Sequence, residues 1–382
     1  MWYFGKAVGL VQRPCNLKSS NTMNRRNFLS AAGLAALAMS MPRSSAANPA
    51  GAPFKMNYAP HDGMFKNIAG ADFLDQIRYM ADQGFRAIED NGMLGRPVAE
   101  QEKIGKLLAD LKMTMGVFVV DSGDNWKISL ATGDRNYTDN FVKTCKACVE
   151  VARRVQAKWM TVVPGYFERK LPIGIQTANV INALRRGAEV FEPAGLVMVL
   201  EPLSDNPDLF LRTSSQSFEI CKAVNSPSCK ILYDIYHMQR NEGDLIANID
   251  RAWDEIAYFQ IGDNPGRKEP TTGEINYKNV FKHLYDKGYR GVMGMEHGIS
   301  REGKEGEQAL IKAYREVDAF DRVGQGGCFL RSPFLSLQSP FLFLAESPVR
   351  GLCAKQTWNR GWFLRVINIA ESLKETLRGR ES

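Results

Sequence analysis

The sequence predicts an α/β fold of the (β/α)8 TIM-barrel class, in a single domain over residues 54–320, and three observations carry that prediction. Short apolar runs bounded by turn residues alternate with segments of helical period, eight of each. Runs that are apolar throughout are strands covered on both faces, as in a parallel sheet, and strand-helix alternation marks βαβ units. Eight such units in about 270 residues match the usual size of a TIM barrel, whose active site forms at the C-terminal ends of its strands. Finally, four consecutive runs end on residues able to bind a metal or move a proton: Glu201, Asp234, Gln260 and Glu296.

Taken in order, the first strand lies in FKMNYA and is followed by a helix over 72–83. FRAIED and a helix over 98–111 form the second unit, MTMGVFVV and 137–155 the third, KWMTVVPG and 176–191 the fourth. The fifth strand, GLVMVL, runs straight into Glu201 and Pro202 before the helical SSQSFEICKAVN. CKILYD precedes DLIANIDRAW, IAYFQ precedes YKNVFKHLYDKG, and GVMGME precedes a last helix over 306–320.

Side chains alternate along a strand, so Glu201 shares a face with Val199 and Val197, Asp234 with Leu232, Gln260 with Tyr258, and Glu296 with Gly294 and Val292. One parity therefore turns all four toward the mouth of the barrel from neighbouring strands. Carboxylates gathered this closely raise one another's pKa and stay ionised together only beside a cation. An oxygen-rich set with one amide suits one divalent ion, Mg2+ or Mn2+, and no thiolate stands near in sequence to argue for structural zinc. A single acidic residue at a strand end is usually a helix cap or surface ion-pair member. Four in register on consecutive strands are a different matter.

VLEPLSD, LYDIYHMQRNEGDL, YFQIGDNPGRKEPTTGEINY and GMEHG resemble the xylose-isomerase-like TIM barrels, and most closely the hydroxypyruvate isomerase family. The resemblance covers about residues 54–320 and is most specific in the second half, where four ordered motifs match. It implies that Glu201, Asp234, Gln260 and Glu296 bind one divalent metal, and that Glu201 and Glu296 act as the acid/base pair, moving a proton between adjacent carbons through a cis-enediolate. It also implies substrate-oxygen contacts from His237 and Arg267. Lys268 departs from the family pattern, where histidine often follows PGR, and this bears on the substrate more than on the chemistry. Moving a carbonyl by one carbon needs a base, an acid and a held oxygen charge, and the planar fork of Arg267 suits a carboxylate such as that of hydroxypyruvate.

The remaining reactive residues are weighed singly. His61, in YAPHDGMF just past the first strand, stands at the catalytic end and is a substrate-binding candidate. His297 has the opposite parity to Glu296, which makes it a supporting or packing residue, and His283 lies inside a helix and is structural. Cys145 and Cys148 form CKAC within a helical run, where a three-residue step is ordinary packing. Tyr166 and Glu168 lie in a loop after the fourth strand, as pocket-closing residues or as solvated ones.

The ends of the chain differ from its middle. Arg25 and Arg26, the apolar stretch 31–41 and the small residues Ser45, Ala46 and Ala47 make residues 23–47 a twin-arginine-type export signal, implying a periplasmic destination. Its apolar core is too short to span a bilayer permanently, so no stable membrane insertion is expected once the signal is removed. Residues 1–22 are read as an upstream extension preceding a true start at Met23, and 321–382 as an irregular tail of no assigned role. The first 50 residues carry six basic and no acidic residues and the tail has a net +4, so a chain of +7 leaves its middle at −3. That distribution does not advertise nucleic-acid binding. Seven scattered cysteines form no disulfide framework, and oligomeric state has no signature in the sequence.

The expected activity is a metal-dependent isomerase acting on a small hydroxy or oxo acid, most like hydroxypyruvate to tartronate semialdehyde. The alternatives are a ketose 3-epimerase or aldose-ketose isomerase on a sugar or sugar acid, and, in another class, a non-catalytic sugar-binding barrel. An endonuclease-IV-like barrel would need a histidine-rich multi-zinc site, and the chain has four histidines.

Overall fold

The computed structural model describes residues 51–321; the readings of residues 1–22, 23–47 and the tail lie outside the described residues. Nine strand segments appear in chain order: β1 (Asn57–Ala59), β2 (Ala87–Ile88), β3 (Thr114–Met115), β4 (Phe118–Val119), β5 (Trp159–Val162), β6 (Val197–Leu200), β7 (Cys229–Asp234), β8 (Ile256–Gln260) and β9 (Val292–Gly294). Seven form one sheet in the order β1-β9-β8-β7-β6-β5-β4, and β2 pairs with β3. All pairings are parallel.

The third expected strand is broken in two, and its break has a physical cause. A Cβ on Gly116 would lie 2.3 Å from the Tyr258 hydroxyl and 2.9 Å from the Ile88 carbonyl oxygen, so the backbone there yields to a phenol crossing the interior. The two sheets still meet on both sides. His61 and Glu89 form a parallel bridge beyond β1 and β2, and Asp90 N–H donates to Val117 O at 3.4 Å beside the β3–β4 break. The result is a curled, TIM-barrel-like parallel sheet.

Ten helices form among the described residues, most of them on its outer face, with α1 and α7 at the strand-end mouth: α1 (Lys66–Ala69), α2 (Phe73–Asp82), α3 (Val98–Leu111), α4 (Arg135–Val155), α5 (Ile173–Phe191), α6 (Ser214–Val224), α7 (Ile235–Asn241), α8 (Leu245–Ala252), α9 (Tyr277–Asp286) and α10 (Gly303–Val317). Asp72, Asp134, Thr213 and Asn276 cap α2, α4, α6 and α9 by accepting backbone N–H groups of the first turn, as short polar side chains do. The short helices α1 and α7 were not expected from periodicity, because one turn or two carries too little repeat to register. No helix among the described residues is long and apolar enough to cross a membrane.

Two main apolar cores and a small third cluster form among the described residues. The larger lies between strands and helices, with Phe65, Phe85, Phe281 and Tyr314 fully buried. The smaller fills the inside of the sheet: Ala59, Ala87, Val117, Val197, Val199, Leu232, Tyr258 and Val292. It contains the partners that strand parity assigned to the four polar strand ends. A carboxylate joins the end of the fold to its beginning: Asp318, after α10, accepts from Lys55 N–H at 2.7 Å, Met56 N–H at 3.2 Å and the Tyr58 hydroxyl at 3.1 Å.

Candidate active site

The strand ends place the side chains directly. Register sets Asp234 of β7 level with Gln260 of β8, and Gln260 level with Gly294 of β9, two residues before Glu296. Glu201 follows β6 and is anchored by its N–H on Val162 O at 3.3 Å. Asp234 caps α7 through Oδ1, which accepts Tyr236 N–H at 2.9 Å, and so keeps Oδ2 for the site. The first turn of α7 brings in His237. One ligand-capable atom each of Glu201, Asp234, His237 and Glu296 lies within 4.8 Å of the others.

Burial separates these groups from water unequally. Asp234, His237 and Gln260 are fully buried, Glu201 nearly so, and the Glu296 side chain retains 24% of its exposure. Burial and then the charges of Glu296 and Asp234 push the Glu201 carboxyl well above the usual carboxylate range, with Arg267 pulling the other way. Burial likewise raises Glu296, against the opposing pull of Arg267. Burial lowers the His237 imidazole more than Asp234 can raise it.

Arg267 is the cation of the cluster. Its Nη2 donates to Glu296 Oε2 at 2.8 Å and Asp234 Oδ2 at 3.2 Å and stands 3.1 Å from His237 Nε2. Burial works against its charge, and Asp234, Glu296, Glu201 and Asp205 outweigh it. The imidazole is crowded by donors, since Ser204 N–H points to Nδ1 at 3.2 Å while Arg267 faces Nε2. A neutral ring has one lone pair for the two.

Gln260 donates through Nε2 to Glu89 Oε1 at 2.8 Å, and its Oε1 is buried with no hydrogen-bond partner. Three further orphaned buried atoms lie at this mouth: Asn91 Oδ1, Thr161 Oγ1 and Arg267 Nε. Each such group costs about 1–3 kcal/mol when left unpaired, so four in one place mark a site shaped for a ligand. The donor set fits a divalent cation: carboxylate oxygens of Glu201, Asp234 and Glu296, the free amide oxygen of Gln260, and His237 within the same reach. Sequence had assigned His237 to the substrate alone.

Two cavities open at the cluster, one of about 290 Å³ past Trp126, Thr161 and Glu201, and one of about 560 Å³ past His61, Lys66 and His297. Asn91, Arg267 and Glu296 border both. His61 lines the larger one, and its Nε2 lies 2.7 Å from Glu89 Oε1. Burial lowers its pKa, but the charge and hydrogen bond of Glu89 outweigh that and leave it raised.

The other candidates take no part in the carboxylate cluster, although His297 lines the larger cavity. His297 is turned to the Tyr314 hydroxyl at 2.7 Å and the Gly298 carbonyl at 2.8 Å, with burial pulling it down to about 4. His283 pairs with Asp250 at 2.8 Å on the helical exterior. Cys145 and Cys148 are unpaired and buried in α4, where burial pushes both thiols up. Tyr166 packs on Val163, Leu203 and Leu209, and Glu168 accepts Lys170 N–H at 2.9 Å, so neither borders the cluster cavities. Missed in sequence were Glu89, Asn91, Thr161 and Asp205. For Glu89 a signal existed: it ends an apolar run and shares the parity of Ala87, an interior residue.

Fold and site together define a TIM-barrel enzyme with a carboxylate-lined centre at the strand ends. Residues 77–317 match the xylose isomerase-like TIM barrel family, and the chain belongs to that enzymatic family. With hydroxypyruvate isomerase of Escherichia coli K12 it shares 31% identity over 238 residues, 59% of this chain and 88% of that protein. With 2-oxo-tetronate isomerase of Cupriavidus necator it shares 29% over 233 residues, 59% and 86% of the two chains. Both of these relatives are isomerases by name. The solved structure of AP endonuclease, family 2, from Brucella melitensis aligns with a TM-score of 0.60 at 25% identity, over 68% of this chain and 99% of that one.

Proposed function

We propose that this protein is a divalent-metal-dependent isomerase that moves a carbonyl between adjacent carbons of a small 2-hydroxy or 2-oxo acid, with hydroxypyruvate the first substrate to test. The observation that carries the reading is the pair Glu201 and Glu296, two carboxyl groups with raised pKa in one cluster within 4.8 Å. A carboxyl whose pKa approaches the working pH can both take and return a proton. One of the pair removes the proton from the hydroxyl-bearing carbon, and a proton is returned to the neighbouring carbon. The charge left on the substrate oxygens between these steps must be held.

Glu201, Asp234, Gln260 and Glu296, with His237 beside them, would hold one divalent cation. When bound, that ion supplies positive charge to the reacting oxygens. Arg267 supplies the anchor for a substrate carboxylate, and its Nε has no protein partner to give up. His237 lies within reach of a substrate oxygen and is fixed by Ser204, whose Oγ stands 2.8 Å from Nδ1.

A ketose 3-epimerase is the second reading, on the same acid/base pair. It is favoured by Thr161 Oγ1 and Asn91 Oδ1, unpartnered atoms suited to hydroxyls of a longer chain in the 290 Å³ cavity.

The test is deuterium incorporation in D2O, followed by NMR, with Mn2+ or Mg2+ and a panel of hydroxypyruvate, 2-oxo-tetronate and several ketoses. Metal-dependent exchange into hydroxypyruvate that is lost in Glu201→Gln and Glu296→Gln supports the reading. Exchange confined to ketoses replaces it with the epimerase. A protein that binds the cation but exchanges nothing is a binding barrel.

A further inference from the structure

We propose that Glu89 is a positioning residue that sets which face of the Gln260 amide is presented to the cation, an inference that rests on the metal reading above. Glu89 stands at the end of β2, fully buried, and its two oxygens meet three groups. Oε1 takes Gln260 Nε2 at 2.8 Å and His61 Nε2 at 2.7 Å, while Oε2 takes the Tyr258 hydroxyl at 2.6 Å.

A carboxylate offers only acceptors. Facing Glu89 with the amide oxygen would set oxygen against oxygen at hydrogen-bond distance, so the amide keeps Nε2 toward Glu89. Oε1 is thereby turned away, and it is the one polar atom of Gln260 without a partner. The alternative orientation would offer the cation an N–H group, which binds no metal. One buried carboxylate thus decides whether position 260 contributes a ligand at all.

The surroundings are built to admit that carboxylate. A Cβ on Gly294 would lie 1.8 Å from Glu89 Oε2 and 2.8 Å from Oε1, so strand β9 gives up a side chain where Glu89 crosses over it. The Tyr258 hydroxyl in turn occupies the space left by Gly116. Two glycines and a phenol therefore fix Glu89, and Glu89 fixes the amide. Groups behind a ligand commonly change metal affinity by about 10- to 100-fold when removed.

The experiment measures Mn2+ affinity of the whole protein, by calorimetry and by the EPR signal of free Mn2+, in the absence of substrate. Glu89→Met keeps the length and removes both acceptors; the expected loss is about 10-fold or more. Glu89→Gln keeps one oxygen for Gln260 and is expected to restore affinity to within about 3-fold of the parent, well short of the loss typical for a missing outer partner. Glu255→Gln, in the ion pairs with Lys222 and Lys230 and outside the cluster, lowers melting temperature without that loss, which separates positioning from general stability. Should Glu89→Met fail to fold, Glu89→Gln against Gln260→Leu carries the same comparison. Glu89 is overturned by parental affinity in folded Glu89→Met, or by a Glu89→Gln loss as large as that of Gln260→Leu. Parental Mn2+ binding in Gln260→Leu removes the ligand role of Gln260 and the proposal with it. A parent that binds no Mn2+ fails the metal reading itself, a different result from the others.

Discussion

Arg267 Nη2 donates to Glu296 Oε2 at 2.8 Å and to Asp234 Oδ2 at 3.2 Å, so the guanidinium occupies the side of the Glu296 carboxylate that faces Asp234. On the proposed reading, a divalent ion and this guanidinium would compete for the same oxygens. Arg267→Ala should therefore bind Mn2+ at least as tightly as the parent, while kcat/KM on a carboxylate substrate falls about 10- to 100-fold for one lost charged hydrogen bond. Calorimetry and steady-state rates check both halves. Weaker Mn2+ binding in Arg267→Ala would show that the arginine assembles the cluster instead of competing within it.

Cation binding should release protons. Burial and the neighbouring charges raise Glu201, and burial raises Glu296, so the metal-free protein holds protons there that a bound cation must expel. The sign is that affinity falls as pH falls through the raised pKa values. Titration calorimetry in two buffers of different ionisation enthalpy reads the number released. Identical heats in both buffers would contradict the coupling.

Acid stability should depend on Glu255, which pairs with Lys222 at 2.7 Å and Lys230 at 2.6 Å. Burial raises its pKa, but the two lysine hydrogen bonds and charges outweigh that and leave it lowered. The contribution is present above the unfolded value of about 4.3 and is lost as pH falls through the lower folded one. Melting temperature of Glu255→Gln should fall below the parent's at neutral pH and converge with it in acid. Parallel curves would argue against the ion pairs.

Asp318→Ala should destabilise the whole barrel. It strands the buried Met56 N–H and Tyr58 hydroxyl, each of which costs about 1–3 kcal/mol when left without an acceptor, and removes the partner of the half-buried Lys55 N–H. Urea unfolding monitored by fluorescence measures the loss. A midpoint equal to the parent's would remove this link between α10 and β1 from the stability of the fold.

Export should require both arginines of the expected signal. Replacing Arg25 and Arg26 together by lysine should hold the protein in the cytoplasm in cell fractionation, and the parent should be recovered in the periplasm. Equal periplasmic recovery would end the twin-arginine reading.

What was legible in the sequence follows from periodicity. Fully apolar strand cores between amphipathic helices gave the fold class, and strand parity gave the interior set Val197, Val199, Leu232, Tyr258 and Val292 together with the facing of Glu201, Asp234 and Gln260. What was not legible depends on distance across the barrel. Tyr258 reaching Gly116, and Glu89 lying over Gly294, join strands far apart in the chain, and no local repeat records such contacts. His237 entered the cluster because two turns of helix follow Asp234, too short a stretch for its period to be seen.

Asp234 has two duties, capping α7 with one carboxylate oxygen and serving the cluster with the other. His237 rides on the turn that this cap secures. A change at Asp234 therefore reaches the imidazole as well, and the free-energy effects of substitutions at the two positions are bound to be non-additive. Their cooperation is written into the backbone, and a double-mutant cycle between them reports helix anchoring and chemistry as a single quantity.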